Sequence, residues 1–379
     1  MRKIIKILLV IFLIVFISCG KKESVKENEI SLPKVMGNNQ EGNFKKAVEK
    51  IKFEFPKDHG SHPEFRTEWW YFTGNLTGES GKEFGYQFTI FRTALTPDSI
   101  KRDSRFGTNQ IYMGHFTISD ISNNKFYYFE RFSRGAAGLA GVTIEPLKVN
   151  LENYKIYETD KSDYEFPKVK ISAKEENVGI ELDLTPEKPI IFQGDGGLSQ
   201  KSKGEGNASY YYSITRIITE GIITINNKNY KVKGYSWLDR EWSTSALSEE
   251  QAGWDWFSIQ LSNNTEIMYY NLRKKDGTAD EFSNGCIVNR NGEKENINLN
   301  EVVLQIIDYW ENDEGKKYPS GWILKIPSKK TELKIIPAIK NQELKLAIRY
   351  WEGSVKIEGI YEGMPVSGRG YVELTGYSG

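Results

Sequence analysis

Strand-length aromatic segments, each followed by a polar turn, limit what this chain can fold into. Residues 68–76 and 84–92 are both rich in aromatic and β-branched side chains, and Gly-Glu-Ser-Gly-Lys between them reads as a hairpin turn. In the second segment Tyr86, Phe88, Ile90 and Arg92 share one face, while Gln87, Thr89 and Phe91 share the other. Residues 111–120 and 125–134 repeat the pattern around Ser-Asn-Asn. Further strands are expected at 149–157, 169–173, 179–184, 210–219, 221–225, 230–237, 254–261 and 266–273. The series continues at 286–289, 301–311, 321–326, 333–338, 350–358 and 368–376. With 13% aromatics, 34 glycines and no long helical period, the fold class expected is all-β, built from barrels or sandwiches. A short helix is expected only in residues 43–52. Residues 190–209, richer in Gly, Ser and Lys, read as a loop over a barrel mouth.

The chain carries its own opening twice. The segment from Trp70 to Leu76 can be laid on that from Asp255 to Leu261, and each is followed by a strand ending in arginine, Arg92 or Arg273. Val232-Lys233-Gly234-Tyr235 likewise matches Gly368-Arg369-Gly370-Tyr371. Two copies of one β unit imply two related barrels. The stretch 234–260 then falls at their junction, where ligand sites gather. It holds four of the nine tryptophans, Trp237, Trp242, Trp254 and Trp256, beside Asp239, Arg240, Glu241 and Asp255. This grouping fits a cavity wall, and equally a turn or salt-bridged corner flanked by core indoles.

Met1 to Ser18 has a basic start followed by an apolar run too short for a comfortable membrane span. It ends at Cys19, and a small residue before cysteine resembles a lipoprotein processing site; an uncleaved anchor is the other reading. Either places the body outside the cytoplasm, in the cell envelope, held to the membrane through Cys19 in the first case. The expected divisions are a leader over 1–19, a polar tether over 20–52, and barrels over 53–245 and 246–379. Lys plus Arg equals Asp plus Glu at 51 each, which argues against a nucleic-acid partner. Two cysteines and three histidines, with no Cys/His cluster, argue against a metal site. No Gly-x-Ser-x-Gly elbow and no phosphate-binding glycine loop are present, so serine hydrolysis and nucleotide chemistry are not expected, and no cofactor is implied.

The segments HPEFRTEWWYFTGNL, GYQFTIFR, SWLDREWS, GWDWFSIQL and RYWEG with GRGYVELTGY, in this order, resemble the AttH-like, carotenoid-hydratase-related secreted proteins. The resemblance spans about 53–377 and implies two lipocalin-like β-barrels in tandem. It points to Glu68, Trp69, Trp70, Arg92, His115, Arg240, Trp242, Trp254 and Trp256 as ligand-binding candidates. Hydratase members of the family carry a histidine in the segment matching LDREW; this chain has Arg240 there, and a guanidinium is a poor proton shuttle. The proton-donor candidates are therefore Asp239, Glu241 and Asp255, if burial raises their pKa. Glu68 also fits a structural pair with an arginine such as Arg66 or Arg92. His115, alone in mid-strand, reads as a core or rim residue rather than a catalyst. The expected function is a lipid-anchored envelope protein that binds an apolar or amphipathic small molecule where the barrels meet. The alternatives are a hydratase or isomerase acting on an isoprenoid-like or polyketide-like substrate, and a non-catalytic structural lipoprotein.

Overall fold

Strands alternate their burial wherever one face meets water. In the computed structural model, which describes residues 43–98, 104–245 and 247–377, the strand Thr331–Pro337 buries Thr331, Leu333, Ile335 and Pro337 and exposes the three residues between. The first sheet contains β1 (Thr67–Gly78), β2 (Glu83–Ala94), β3 (Gln110–Asp120), β4 (Lys125–Arg134), β5 (Ala140–Ile144), β6 (Leu147–Leu151) and β7 (Tyr154–Asp160). It continues through β8 (Lys168–Glu175), β9 (Val178–Pro186), β10 (Ile191–Phe192), β11 (Leu198–Gln200), β12 (Ala208–Ile225) and β13 (Lys228–Ser245). The second sheet comprises β14 (Gln251–Leu261), β15 (Glu266–Lys274), β16 (Asn284–Val288), β17 (Lys294–Asn298) and β18 (Val303–Glu311). To these it adds β19 (Lys317–Ile326), β20 (Thr331–Pro337), β21 (Glu343–Leu344), β22 (Tyr350–Tyr361) and β23 (Met364–Leu374).

Both sheets are antiparallel and curl into barrel-like units. The order is β4-β3-β2-β1-β13-β12-β9-β8-β7-β6-β5 in the first and β17-β16-β15-β14-β23-β22-β20-β19-β18 in the second. Short β10 and β11 pair with β12, and β21 with β22. The chain is thus all-β, with two tandem lipocalin-like barrels. Each barrel has an apolar interior, filled in the first by residues such as Phe72, Phe88, Ile171 and Leu238 and in the second by Phe257, Trp322, Leu333 and Val372.

Four local expectations are corrected. Residues 43–52 form no helix, and the Lys45 N–H donates to the Glu64 carbonyl. Phe44 and Ala47 are buried, so packing begins ahead of Phe53. The strands expected at 210–219 and 221–225 are one 18-residue strand, β12, carrying a bulge between Ile214 and Ile217. The strand expected to stop at Trp237 runs on to Ser245, so Asp239-Arg240-Glu241 is mid-strand rather than a turn or corner. Between β12 and β13, Asn226 and Asn227 take φ of 53° and 60°, the left-handed pair of a two-residue hairpin turn. Cys19, the leader and residues 20–42 of the expected tether lie outside the described residues.

The outer faces of β1, β2 and β13 pack against β14, β22 and β23. Gly85 permits the approach, since a Cβ there would lie 2.6 Å from the Tyr371 hydroxyl. Polar bridges hold the two units together. The Asn75 amide donates to the Gly370 carbonyl (3.1 Å), the Gln260 amide to the Thr215 and Ser236 carbonyls (2.8 and 3.0 Å), and the Ser119 hydroxyl to Gln342 (2.6 Å). Glu266 of β15 takes buried Lys188 and Arg216 of the first unit as its counter-charges.

Candidate functional site

Because β13 pairs with β1 here without a register shift, its residues divide by parity. Trp237, Asp239 and Glu241 point to the junction between the units; Leu238, Arg240 and Trp242 point into the first barrel. Register carries the division to β1, where Tyr71 lies opposite Asp239 and Trp69 opposite Glu241. On the second unit Trp256 lies opposite Glu373. If Tyr71 is laid on Trp256, as the internal repeat requires, Glu373 takes the place of Asp239. The strand register also shifts the expected match of the closing strands by two residues: Gly368 pairs with Leu261, and Gly234 with Leu76. Gly368 therefore corresponds to Gly234.

These junction faces enclose a cavity of about 80 Å³. Its walls are aromatic, from Trp69, Tyr71, Phe91, Tyr211, Trp254 and Trp256, with Leu247, Tyr270 and Leu272. Trp69, Phe91 and Trp254 are half-buried and form its outer rim. The polar groups are Asp239, Glu241, Glu373 and Lys201. Lys201 comes from the segment after β11; its ammonium lies 3.3 Å from Glu241 and over the Tyr270 ring at 4.1 Å. Ser209 also donates to Glu241.

Asp239 accepts hydrogen bonds from the Tyr211 hydroxyl (2.6 Å), the Ser213 hydroxyl (2.6 Å) and the Trp237 indole (2.7 Å). Burial still pushes its pKa up to about 7, against the pull of those three donors, and the Glu241 charge adds to the rise. Glu373 accepts from the Trp254 indole at 2.8 Å. Burial raises it to about 7 as well, with Asp239 and Glu241 contributing in the same direction. Two carboxyls from equivalent places in the two units thus titrate near neutrality beside one aromatic cavity.

The other face of β13 builds a different cluster. Glu68 accepts from Arg92 and Arg240 and from the His62 backbone N–H at 3.1 Å. Arg240 stacks over Trp70 at 4.1 Å, and the His62 ring lies 3.8 Å from Trp242 and parallel to it. Burial alone would raise the Glu68 pKa; Arg240 and Arg92 reverse this and hold it well below the usual carboxylate range. Glu68, Trp70, Arg92, Arg240 and Trp242 therefore occupy the end of the first barrel's core and do not line the cavity.

Asp255 also points away from the cavity, into the second barrel, where Arg273 Nε and the Tyr377 hydroxyl each donate to it at 2.9 Å. The structure thus separates it from Asp239 and Glu241. His115 lies on the junction side, beyond the cavity, with Nδ1 2.8 Å from the Tyr350 hydroxyl. The structure brings Trp69, Trp254, Trp256, Asp239 and Glu241 together from the sequence candidates. It adds Tyr71, Phe91, Lys201, Tyr211 and Glu373. For Glu373 the internal repeat carried the signal; Lys201, in an irregular segment, had none.

Comparison with known proteins agrees with this architecture. Residues 46–377 match the AttH-like family. A crystal structure assigned as AttH from Nitrosomonas europaea superposes with a TM-score of 0.77 at 32% identity, covering 88% of this chain and all of that one. The dehydratase asqC of Emericella nidulans is 20% identical over 282 residues, 71% of this chain and 77% of that protein. The kievitone hydratase of Fusarium solani is 25% identical over 210 residues, 54% of this chain and 58% of that protein. Matched over most of its length by the family's sequence pattern and by a solved structure, this chain belongs to the AttH-like family.

Proposed function

We propose that this protein is a lyase of the hydratase–dehydratase type, adding water to an unsaturated apolar molecule or removing it. One observation carries the reading: Asp239 and Glu373, from equivalent strands of the two units, flank one aromatic cavity with pKa values near 7. Two interacting acids in that range share about one proton at neutral pH, so one donates while the other accepts. In hydration the protonated carboxyl gives its proton to an alkene carbon. The ionised one takes a proton from water as the C–O bond forms, and dehydration runs the same steps in reverse. The indole and phenol faces hold an apolar substrate and stabilise developing positive charge. The two curated relatives, a dehydratase and a hydratase, support this lyase reading over simple ligand binding.

The cavity has room for a reacting fragment, so the rest of the substrate extends past Trp69, Phe91 and Trp254. Isoprenoid-like and polyketide-like alkenes are the classes to try. The test is incubation of the purified protein with a panel of such alkenes in D₂O, with mass spectrometry of the products. A water adduct carrying one carbon-bound deuterium is expected. Asp239→Asn and Glu373→Gln should each slow its formation by roughly 10²–10⁴-fold, the usual contribution of a general acid or base. An adduct formed equally well by both variants, or quenching of tryptophan fluorescence by the panel with no turnover, would overturn the reading.

A further inference from the structure

Lys201 takes no part in the proton transfers assigned to Asp239 and Glu373. It lines the same cavity and is buried, at 8% exposure. The segment that carries it is irregular, yet its backbone is pinned from both units. Its N–H donates to the Asn207 carbonyl at 2.9 Å, and its carbonyl accepts from the Gln251 side-chain amide of β14 at 2.8 Å. The ammonium lies over the Tyr270 and Tyr211 rings at 4.1 and 4.9 Å. Among the described residues, Glu241 is its one salt-bridge partner, at 3.3 Å. Glu241 also accepts from Ser209, so Lys201 does not satisfy it alone. An ammonium carries several N–H donors. Glu241 takes one, and ring faces are weak acceptors, so donor capacity is left toward the cavity. Burial alone would lower the Lys201 pKa; the Glu241 charge outweighs it, and the group stays charged at neutral pH.

We propose that Lys201 receives a carbonyl oxygen of the substrate, so that the unsaturated molecule is an enone, an alkene conjugated to a carbonyl. This rests on the lyase reading and narrows its substrate class. A fixed cation in a buried wall stabilises negative charge that develops beside it. In hydration of an enone, the water oxygen bonds to the alkene carbon remote from the carbonyl. The π pair shifts toward the carbonyl, whose oxygen takes the negative charge of an enolate. The ionised acid takes a proton from the water. The protonated acid gives its own to the carbon beside the carbonyl, and the C=O bond re-forms. The product is a β-hydroxy carbonyl compound; Lys201 keeps its protons, and nothing is oxidised or reduced. Dehydration runs the same steps backward. Asp239 and Glu241 are same-face neighbours on β13, about 6.5 Å apart along the strand. An oxygen held at Lys201, beside Glu241, thus leaves the conjugated carbons reaching toward Asp239. The ring faces hold the apolar remainder.

The test uses benzylideneacetone and the hydrocarbon in which a CH₂ group replaces its carbonyl oxygen. Binding of each to the purified protein is measured by isothermal titration calorimetry at about pH 7. A purely apolar cavity prefers the hydrocarbon, because burying a carbonyl without a donor is unfavourable. The wild type should instead bind the enone at least roughly tenfold more tightly, as a hydrogen bond from a charged group provides. Lys201→Met should reverse this preference and leave hydrocarbon binding largely unchanged. Should that variant fail to fold, with Glu241 left buried and unpaired, Lys201→Met combined with Glu241→Gln removes both charges and carries the same expectation. If Lys201 is only the counter-charge of Glu241, the enone preference will survive in the folded variant. That result, a wild-type preference for the hydrocarbon, or no binding of either probe by the wild type would overturn the proposal. Calorimetry does not depend on turnover. Enone binding with no water adduct from the alkene panel would overturn the lyase reading and leave the carbonyl site standing. Hydration of alkenes without a carbonyl as fast as enones would keep the lyase reading and overturn the enone assignment.

Discussion

On the barrel side of the β1–β13 pair, Glu68 sits between two guanidiniums; on the junction side, Asp239 sits among hydroxyls and further acids. Both carboxyls are buried. One is held far below its ordinary pKa, and the other is pushed up to about 7. The difference lies in the counter-charges. Glu68 meets Arg92 and Arg240 directly, whereas the one cation that lines the cavity among the described residues, Lys201, is turned to Glu241. A compensated buried charge locks a barrel end, and its removal leaves unpaired partners behind. An uncompensated one keeps a proton that it can give away near neutral pH. A single strand can therefore carry structure on one face and acid chemistry on the other, because its side chains alternate.

The sharpest way to break this comparison is to remove the charge from each carboxyl in turn. Glu68→Gln would leave Arg92 and Arg240 buried without a counter-charge and should cost about 3–5 kcal/mol in urea denaturation at neutral pH. Asp239→Asn keeps a similar shape and relieves the burial of a charge, so stability should stay within about 1 kcal/mol of the wild type or rise. Equal losses in the two variants would show that the faces do not differ in kind.

Much of this contrast was readable in the chain, and some was hidden for identifiable reasons. The aromatic segments and polar turns indicated the strands, and Asn226-Asn227 marked its hairpin. The stretch 234–260 was read as the junction of two units, and the two strands that carry it, β13 and β14, belong one to each sheet. Within it Arg240 and Trp242 were grouped with Asp239 and Glu241, because the stretch read as a turn, where parity has no meaning. Once β13 is known to continue to Ser245, period two assigns Asp239 and Glu241 to one face and Arg240 and Trp242 to the other. Glu373 was obscured by the two-residue offset in the matched closing strands. Glu352 stood inside a quoted motif, but only the packing of β22 on β1 and β2 shows its proximity to Tyr71.

The pH dependence of stability sharpens the comparison with a smaller effect. Glu68 has a lowered folded pKa, so its contribution is complete above the unfolded value and is constant from about pH 5 upward. Asp239 behaves oppositely. Its native form keeps a proton that the unfolded chain has lost, so stability falls as pH rises toward about 7, by at most about 1.4 kcal/mol per pH unit. Glu373 adds a second term of the same sign. His59 opposes both below its ordinary value: burial lowers its pKa to about 4, so the unfolded state binds the extra proton and stability rises with pH there. The wild-type slope is thus a sum, and the informative quantity is its difference from Asp239→Asn. Relative to wild type, that variant should gain stability steadily from about pH 5 to about pH 7 and no further above. A constant or declining difference would show that Asp239 is ionised throughout and no acid at neutral pH.

The smallest expected effect tests how each junction acid is tuned. Among the described residues Glu373 has one donor, the Trp254 indole at 2.8 Å, whereas Asp239 has three. A hydrogen bond to the charged form lowers a carboxyl pKa, so losing the only one should matter more than losing one of three. Trp254→Phe keeps an aromatic wall and deletes the N–H. It should move the Glu373 titration upward by roughly half a unit to one unit, corresponding to about 0.7–1.4 kcal/mol. Trp237→Phe should move Asp239 in the same direction by less, since Tyr211 and Ser213 remain. Carbon-13 NMR of carboxyl-labelled protein reads both titrations, with Glu373→Gln and Asp239→Asn assigning the resonances. A larger shift at Asp239 than at Glu373, or a downward shift at either, would mean that the indoles do not set these acids. The burial of the junction itself would then be the whole cause of their raised pKa values.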